Sequence, residues 1–161
     1  MYHPVVEKIK SLLKQNNIWF ETFEHEPVIT SEEAGKVRTG YNLTQGTKAL
    51  IVRVTTSEKE KKFVMILVPG DKKFDEKKVQ AELGFTKIRF ATEEEVSEIT
   101  GGVQRGGVPP FGNLFGLSVY MDRTILDNEK IIFNAGDRSY SIGMHSADFV
   151  KVVKPVIVQV S

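Results

Sequence analysis

The sequence predicts a single α+β domain spanning residues 1–161, built as a mixed, mostly antiparallel β-sheet or partial barrel with surrounding helices. Three observations carry this. At 161 residues the chain has the size of one hydrophobic core rather than two. Its 40% hydrophobic and 27% charged residues sit near the globular average, which excludes a disordered or fibrous chain. Short β-branched runs outnumber the helical patterns and pair as hairpins instead of alternating one-to-one with helices, which argues against a doubly wound parallel fold.

The elements follow in order. Pro4, then Val5, Val6, Ile9, Leu12 and Leu13, place apolar side chains on one helical face with proline in the first turn, and Asn16 and Asn17 end that helix. Residues 19–23 are an aromatic, β-favouring run that Pro27 stops from continuing as a central strand. Thr30 and Glu33 have capping-box spacing and predict a short helix that fails by Gly40. Residues 48–55 and 62–68 are rich in β-branched side chains and flank a charged stretch with nothing to bury, the pattern of an antiparallel hairpin. After the turn at Pro69, Gly70 and Asp71, Asp75 caps a helix bearing Val79 and Leu83 that Gly84 terminates. A strand is expected at 87–90. Thr92 and Glu95 open a further helix that runs to Thr100 and stops at Gly101 and Gly102. Residues 117–121, 131–133 and 140–144 read as strands, 147–152 as a helix and 156–160 as an edge strand.

Composition narrows the function classes. Twenty-two basic against 21 acidic residues give a net charge of +1, so no broad positive field attracts DNA or an anionic membrane. With no cysteine, disulfides, thiolate metal sites and cysteine nucleophiles are all excluded. His3, His25 and His145 lie far apart, outside any metal-ligand spacing, and no metal or cofactor is expected. No apolar run approaches the roughly 20 residues of a membrane span, and the first 14 residues mix charges with apolar side chains; the expectation is a soluble cytoplasmic protein.

Chemistry concentrates in three places, each with a plainer reading. Residues 101–112 hold five glycines and two prolines in twelve positions, which excludes a regular element and lets backbone N–H groups approach an anion or carbonyl. A Walker-type loop is excluded because Gly106 is followed by Gly107 and Val108, not Lys and Ser or Thr; the plainer reading is a crossover between a helix and a strand. Lys48 begins an apolar strand, where a lysine is ordinarily a solvated strand-end charge and less often a point charge for phosphate or carboxylate. Residues 134–141 are rich in turn formers and read as a hairpin loop. The lysines around 59–78 interleave with acids and read as a solvated face.

Four pieces, taken in order, carry a resemblance. They are His25-Glu26-Pro27 followed by Thr30-Ser31-Glu32-Glu33-Ala34; Lys48-Ala49-Leu50-Ile51-Val52; Val68-Pro69-Gly70-Asp71; and Gly106-Gly107-Val108-Pro109-Pro110-Phe111-Gly112 followed by Asn134-Ala135-Gly136. In that order and spacing the chain resembles the YbaK-like, prolyl-tRNA-editing family of aminoacyl-tRNA deacylases from about Trp19 to Phe149. The resemblance implies a free-standing editing domain that hydrolyses the ester joining a wrong amino acid to the 3′-terminal adenosine of a tRNA. Its implied partners are the tRNA acceptor end carrying an amino acid and an aminoacyl-tRNA synthetase, with neither DNA nor membrane. Lys48 matches the family lysine that holds the tRNA 3′ end and is needed for deacylation. Gly106 and Pro110 match the ends of its Gly-x-x-x-Pro loop, whose backbone lies against the aminoacyl group and terminal ribose. Catalytic roles thus fall on Lys48, Gly106 and Gly107; contacts to substrate fall on His25, Thr30, Val108, Pro110, Asn134, Ala135, Gly136 and Ser141. At Ser141 the sequence departs from its relatives, where cysteinyl-editing members carry Asp and several alanyl-editing members His, so the amino acid removed does not follow from the resemblance.

The residue types suit the chemistry. An aminoacyl ester is already activated, so a positioned water and stabilisation of the tetrahedral oxyanion suffice. Backbone N–H groups at Gly106 and Gly107 are the candidate oxyanion donors, Lys48 the charge that fixes the terminal phosphate or ribose, and water the nucleophile. Two rival readings stand beside this one. A non-catalytic module of the same fold would bind aminoacyl-tRNA or a synthetase and protect the ester; a small-molecule esterase would cleave simple amino-acid esters without tRNA.

Overall fold

A computed structural model describes residues 1–27 and 40–161; the expected helix after Thr30, and Thr30 itself, lie outside the described residues. Eight strands and four α-helices are described in the order α1 (Val5–Gln15), β1 (Phe20–Glu24), β2 (Thr47–Thr55), β3 (Lys61–Pro69), α2 (Glu76–Leu83), β4 (Lys87–Phe90), α3 (Glu93–Thr100), β5 (Val119–Asp122), β6 (Lys130–Asp137), β7 (Tyr140–His145), α4 (Ser146–Val153) and β8 (Val156–Val158). They form an α+β fold with two open sheets, one of three strands in the order β1-β7-β6 and one of five in the order β4-β2-β3-β5-β8.

The local signals explain most of the boundaries. Asp75 accepts a hydrogen bond from the Lys78 amide at the start of α2, and Thr92 and Glu95 form a reciprocal capping box on α3. Gly84 and Gly101 close the same two helices in the left-handed conformation. The hairpin pairs Thr47 with Pro69 through to Thr55 with Lys61.

One outcome adds to the sequence expectation and one differs from it. The strand over 156–160 was expected at an edge and is there, but β8 lies parallel to β5, which in turn lies parallel to β3. Both crossovers are long enough for parallel pairing. The stretch 134–141, expected as a loop, is instead the end of β6 and the start of β7, joined by a tight turn at Arg138 and Ser139 with a register shift between Asn134 and Asp137.

Burial follows the strand faces. Val64 to Val68 is an unbroken apolar run because β3 lies between β2 and β5 and is covered on both sides. Ile51, Met65 and Leu67 join Ile131, Phe133, Ile142 and Met144 of the smaller sheet, with Val5, Val6, Ile9 and Leu13 of α1, in the main core. Phe111, Phe133 and Phe149 meet at its centre with ring centroids 5.4–6.2 Å apart. On the opposite face of the larger sheet, Val52, Val54, Ile66 and Val68 pack with Val79 of α2 and Val160. A parallel bridge between Gly46 and Ile132 ties the two sheets at the mouth of the hairpin. Among the described residues no helix is long and apolar enough to cross a membrane.

Candidate active site

The smaller sheet has a core face and an outer face. Tyr140, Ile142 and Met144 point into the core, so alternation places Ser141 and its cross-strand neighbours Phe23 and Asn134 on the other side. There a chain of hydrogen bonds links three segments distant in sequence. The Ser141 hydroxyl lies 2.8 Å from His25 Nε2 and 3.2 Å from Asn134 Oδ1, and Asn134 Nδ2 donates to the Gly106 carbonyl at 2.5 Å. His25 Nδ1 lies 2.8 Å from the Glu26 carbonyl, which only accepts, so Nδ1 carries the proton. Ser141 itself is fully buried. The β1–β7 pairing delivers His25, whose backbone amide extends that ladder to the Ser139 carbonyl.

The glycine loop is held from both sides. Gly106 has φ +90°, a conformation that favours glycine, and is exposed, whereas Gly107 to Pro110 are buried. Gly107 packs so closely on the turn after β6 that a Cβ would lie 3.3 Å from the Arg138 amide. Its own amide donates to the Gln104 carbonyl at 2.9 Å, which differs from the expectation that it serves as an oxyanion donor. Arg138 donates to the Gln104 side chain at 2.5 Å, and the Arg105 guanidinium donates to the Ala91 carbonyl, so both residues before Gly106 are pinned.

Lys48 approaches from the larger sheet. The Gly46–Ile132 bridge is parallel, so Lys48 and Asn134 each lie two residues beyond it in the same direction. Its ammonium donates to the Lys72 carbonyl at 2.6 Å. Burial pushes its pKa below the ordinary lysine value, partly offset by Asp71.

The structure therefore brings His25, Asn134, Ser141 and Gly106 into one hydrogen-bonded chain, with Lys48 on a neighbouring strand. It uses other expected residues differently. The Ala135 side chain is wholly buried in the main core, because it alternates with Asn134 on β6 and points the opposite way. Gly136, at φ +116°, faces α1, where a Cβ would sit 2.2 Å from Val5 Cγ1, so its missing side chain serves helix packing. Val108 is 8% exposed and likewise belongs to the core, and Pro110 is buried beside Phe111.

Tyr41 was not anticipated. Its hydroxyl donates to Glu21 at 2.9 Å and occupies the space above Gly143, where a Cβ would come within 2.2 Å of it. Burial, reinforced by the Glu21 carboxylate, raises its pKa, so it remains a protonated donor. The sequence signal was present only as an alternation: Gly143 breaks the apolar run of β7 on the outer face, directly opposite Glu21. Among the described residues no group of three or more His, Asp or Glu side chains has metal-holding geometry.

The family model of the aminoacyl-tRNA editing domain matches residues 25–152, most of the chain. The chain belongs to that family. It is 29% identical over 153 residues to the multifunctional Ser/Thr-tRNA deacylase ProXp-y of Escherichia coli, covering 94% of this chain and 90% of that protein. Against the prolyl-tRNA editing protein ProX of Acetoanaerobium sticklandii it is 27% identical over 146 residues, covering 88% and 86% of the two chains. Its fold matches a solved structure proposed as a trans-editing enzyme for prolyl tRNA synthetase, with a TM-score of 0.82 over 100% of this chain and 99% of the other at 22% identity.

Proposed function

We propose that the protein is a trans-editing deacylase that hydrolyses the ester of a mischarged aminoacyl-tRNA. The observation that carries this reading is the hydrogen-bonded chain from His25 through Ser141 and Asn134 to the Gly106 carbonyl. It holds an exposed glycine loop rigid in a chain of the editing family, as a pre-organised oxyanion site requires. With the Gly107 amide committed to Gln104, the oxyanion donor falls to the Gly106 amide. Water attacks the ester carbonyl, the carbonyl electrons pass to the oxyanion, and their return expels the ribose oxygen, which takes up the proton that the attacking water releases. Lys48 holds the terminal phosphate or ribose by charge. Because one methylene in an apolar pocket discriminates by only about 1–3 kcal/mol, synthetases misacylate and a second sieve is useful.

The relative from Escherichia coli is named for Ser and Thr, which makes seryl and threonyl esters the leading substrates. The test is a deacylation screen with tRNAs carrying labelled Ala, Ser, Thr or Cys and correctly charged controls, each with wild type and Lys48→Ala. Fast turnover of a mischarged species, lost in Lys48→Ala, supports the enzyme. Protection of every ester replaces it with the non-catalytic binding module, and cleavage of free amino-acid esters without tRNA replaces it with a simple esterase.

A further inference from the structure

On the outer face of the smaller sheet the rows are ordered. Asn134 pairs with Ser141, Ile132 with Gly143, and Lys130 with His145, so Lys130 and His145 lie two rows along from the Ser141 end. Four residues of strand span about 13 Å. Trp19, immediately before β1, falls in the same last row, since Phe20 pairs with Met144. It is the chain's single tryptophan and is 45% exposed, a large aromatic side chain left in solvent. The Lys130 ammonium lies 5.0 Å from its ring centroid, and the His145 ring 5.0 Å away at an interplanar angle of 43°.

An exposed indole with a cation at its face, on the same sheet face as the candidate site, has the parts of a single-strand platform: a π-surface that stacks any base and a charge for the adjoining phosphate. We propose that Trp19 and Lys130 receive the unpaired 3′ nucleotides that precede the terminal adenosine of the tRNA, Trp19 stacking on a base and Lys130 meeting its phosphate. This rests on the deacylase reading for the position of the terminal adenosine. At about 3.4 Å per stacked nucleotide, 13 Å is roughly four steps, one more than the unpaired nucleotides before the terminal adenosine supply, so the tail must be partly unstacked and extended to place one of them on the platform. Lys130 occupies the ring face by a cation–π contact when no RNA is present, and its flexible stem lets the ammonium move to phosphate when a base takes that face.

The lone tryptophan makes the test direct. The probes are an uncharged acceptor-stem RNA hairpin ending in its unpaired 3′ nucleotides and the same hairpin trimmed to a blunt end. Saturable quenching of Trp19 fluorescence by the tailed hairpin only is expected; equal quenching by both, or binding without quenching, overturns the platform. In deacylation, Trp19→Ala raises KM about tenfold with kcat retained, Trp19→Phe recovers most of that, and Lys130→Gln lowers the salt slope of KM by about one. Unchanged KM in both Trp19→Ala and Lys130→Gln sinks the proposal while leaving the deacylase standing. Quenching by the tailed hairpin alongside no turnover on any charged tRNA does the reverse.

Discussion

The imidazole of His25 and the hydroxyl of Ser141 meet at 2.8 Å although 116 residues separate them, and Ser141 in turn touches Asn134 Oδ1 at 3.2 Å. Asn134 cannot turn its amide over, because Nδ2 is held by the Gly106 carbonyl at 2.5 Å. Because Asn134 Oδ1 can only accept, the Ser141 hydroxyl donates to it, and the His25 ring packs against the same hydroxyl. The position of the glycine loop thus depends on residues that need not touch the ester.

Ser141→Ala removes the shared hydroxyl from this chain and is expected to lower kcat/KM for the edited ester about tenfold, with a smaller change in thermal stability. Asn134→Asp is expected to cost more, since it places a carboxylate oxygen against the Gly106 carbonyl. Steady-state deacylation beside thermal melting separates the two effects. If Ser141→Ala keeps full kcat/KM, the hydrogen-bonded chain is irrelevant to catalysis.

Lys48 sets a pH dependence. It is charged below its pKa, and burial lowers that pKa from the ordinary 10.5, so the charge that the proposed mechanism assigns to holding the tRNA end is lost at a lower pH than for a solvated lysine. The kcat/KM profile is expected to fall on its alkaline side beginning below pH 10.5. Lys48→Arg moves this limb beyond the measurable range with reduced activity, because a guanidinium stays charged but does not reproduce a point charge. A wild-type profile flat up to the alkaline denaturation limit would falsify the assignment of that charge.

How much of this was legible depends on whether the cause is local. The apolar spacing of α1, the hairpin β2–β3, the Asp75 cap and the Thr92–Glu95 box are short-range signals, and the structure carries each within a residue or two. The unbroken run Val64 to Val68 does report a strand covered on both faces. Nothing local tells that β3 lies parallel to β5 and β5 to β8, or that β1, β6 and β7 form a separate sheet, because strand order is fixed by which distant faces bury together. At the candidate site, motif order pointed to His25, Gly106 and Asn134, which the fold joins through Ser141 in one hydrogen-bonded chain. It could not show that Ala135 points into the core, since pleat phase was not fixed until β6 was known to run through Asp137. Tyr41, Trp19 and Lys130 belong to no motif. Their significance comes from the register of three strands that meet only in the fold.

Gly136 is expected to be among the least replaceable glycines. Gly136→Ala faces both a φ of +116° and a Cβ 2.2 Å from Val5 Cγ1, and is expected to destabilise by about 2–5 kcal/mol. Combining it with Val5→Ala relieves the overlap but not the backbone strain, so a double-mutant cycle by urea unfolding should give a coupling of about 1 kcal/mol or more. No coupling would mean that the helix does not bear on this glycine.

Asp122 ties the last residues to the sheet, and its role has a pH signature. Its carboxylate accepts from the Val160 amide at 2.9 Å, the Ser161 hydroxyl at 2.9 Å, the Thr124 amide at 3.3 Å and the Thr124 hydroxyl. Burial alone would raise its pKa; these donors outweigh burial and hold it below the ordinary 3.8. A carboxylate with a depressed folded-state pKa stabilises fully above its unfolded-state pKa and loses that contribution as pH falls through the folded-state value. Asp122→Asn keeps the shape but turns an N–H₂ toward groups that donate, so it is expected to lose about 1–3 kcal/mol at neutral pH. That difference should shrink as the pH is taken down through the acid range, where the wild-type carboxyl is itself protonated. Urea unfolding of both proteins at about pH 7 and about pH 3 measures it. A gap of the same size at both values would show that the side chain contributes through shape alone and that its charge does not hold the Val160–Ser161 end in place.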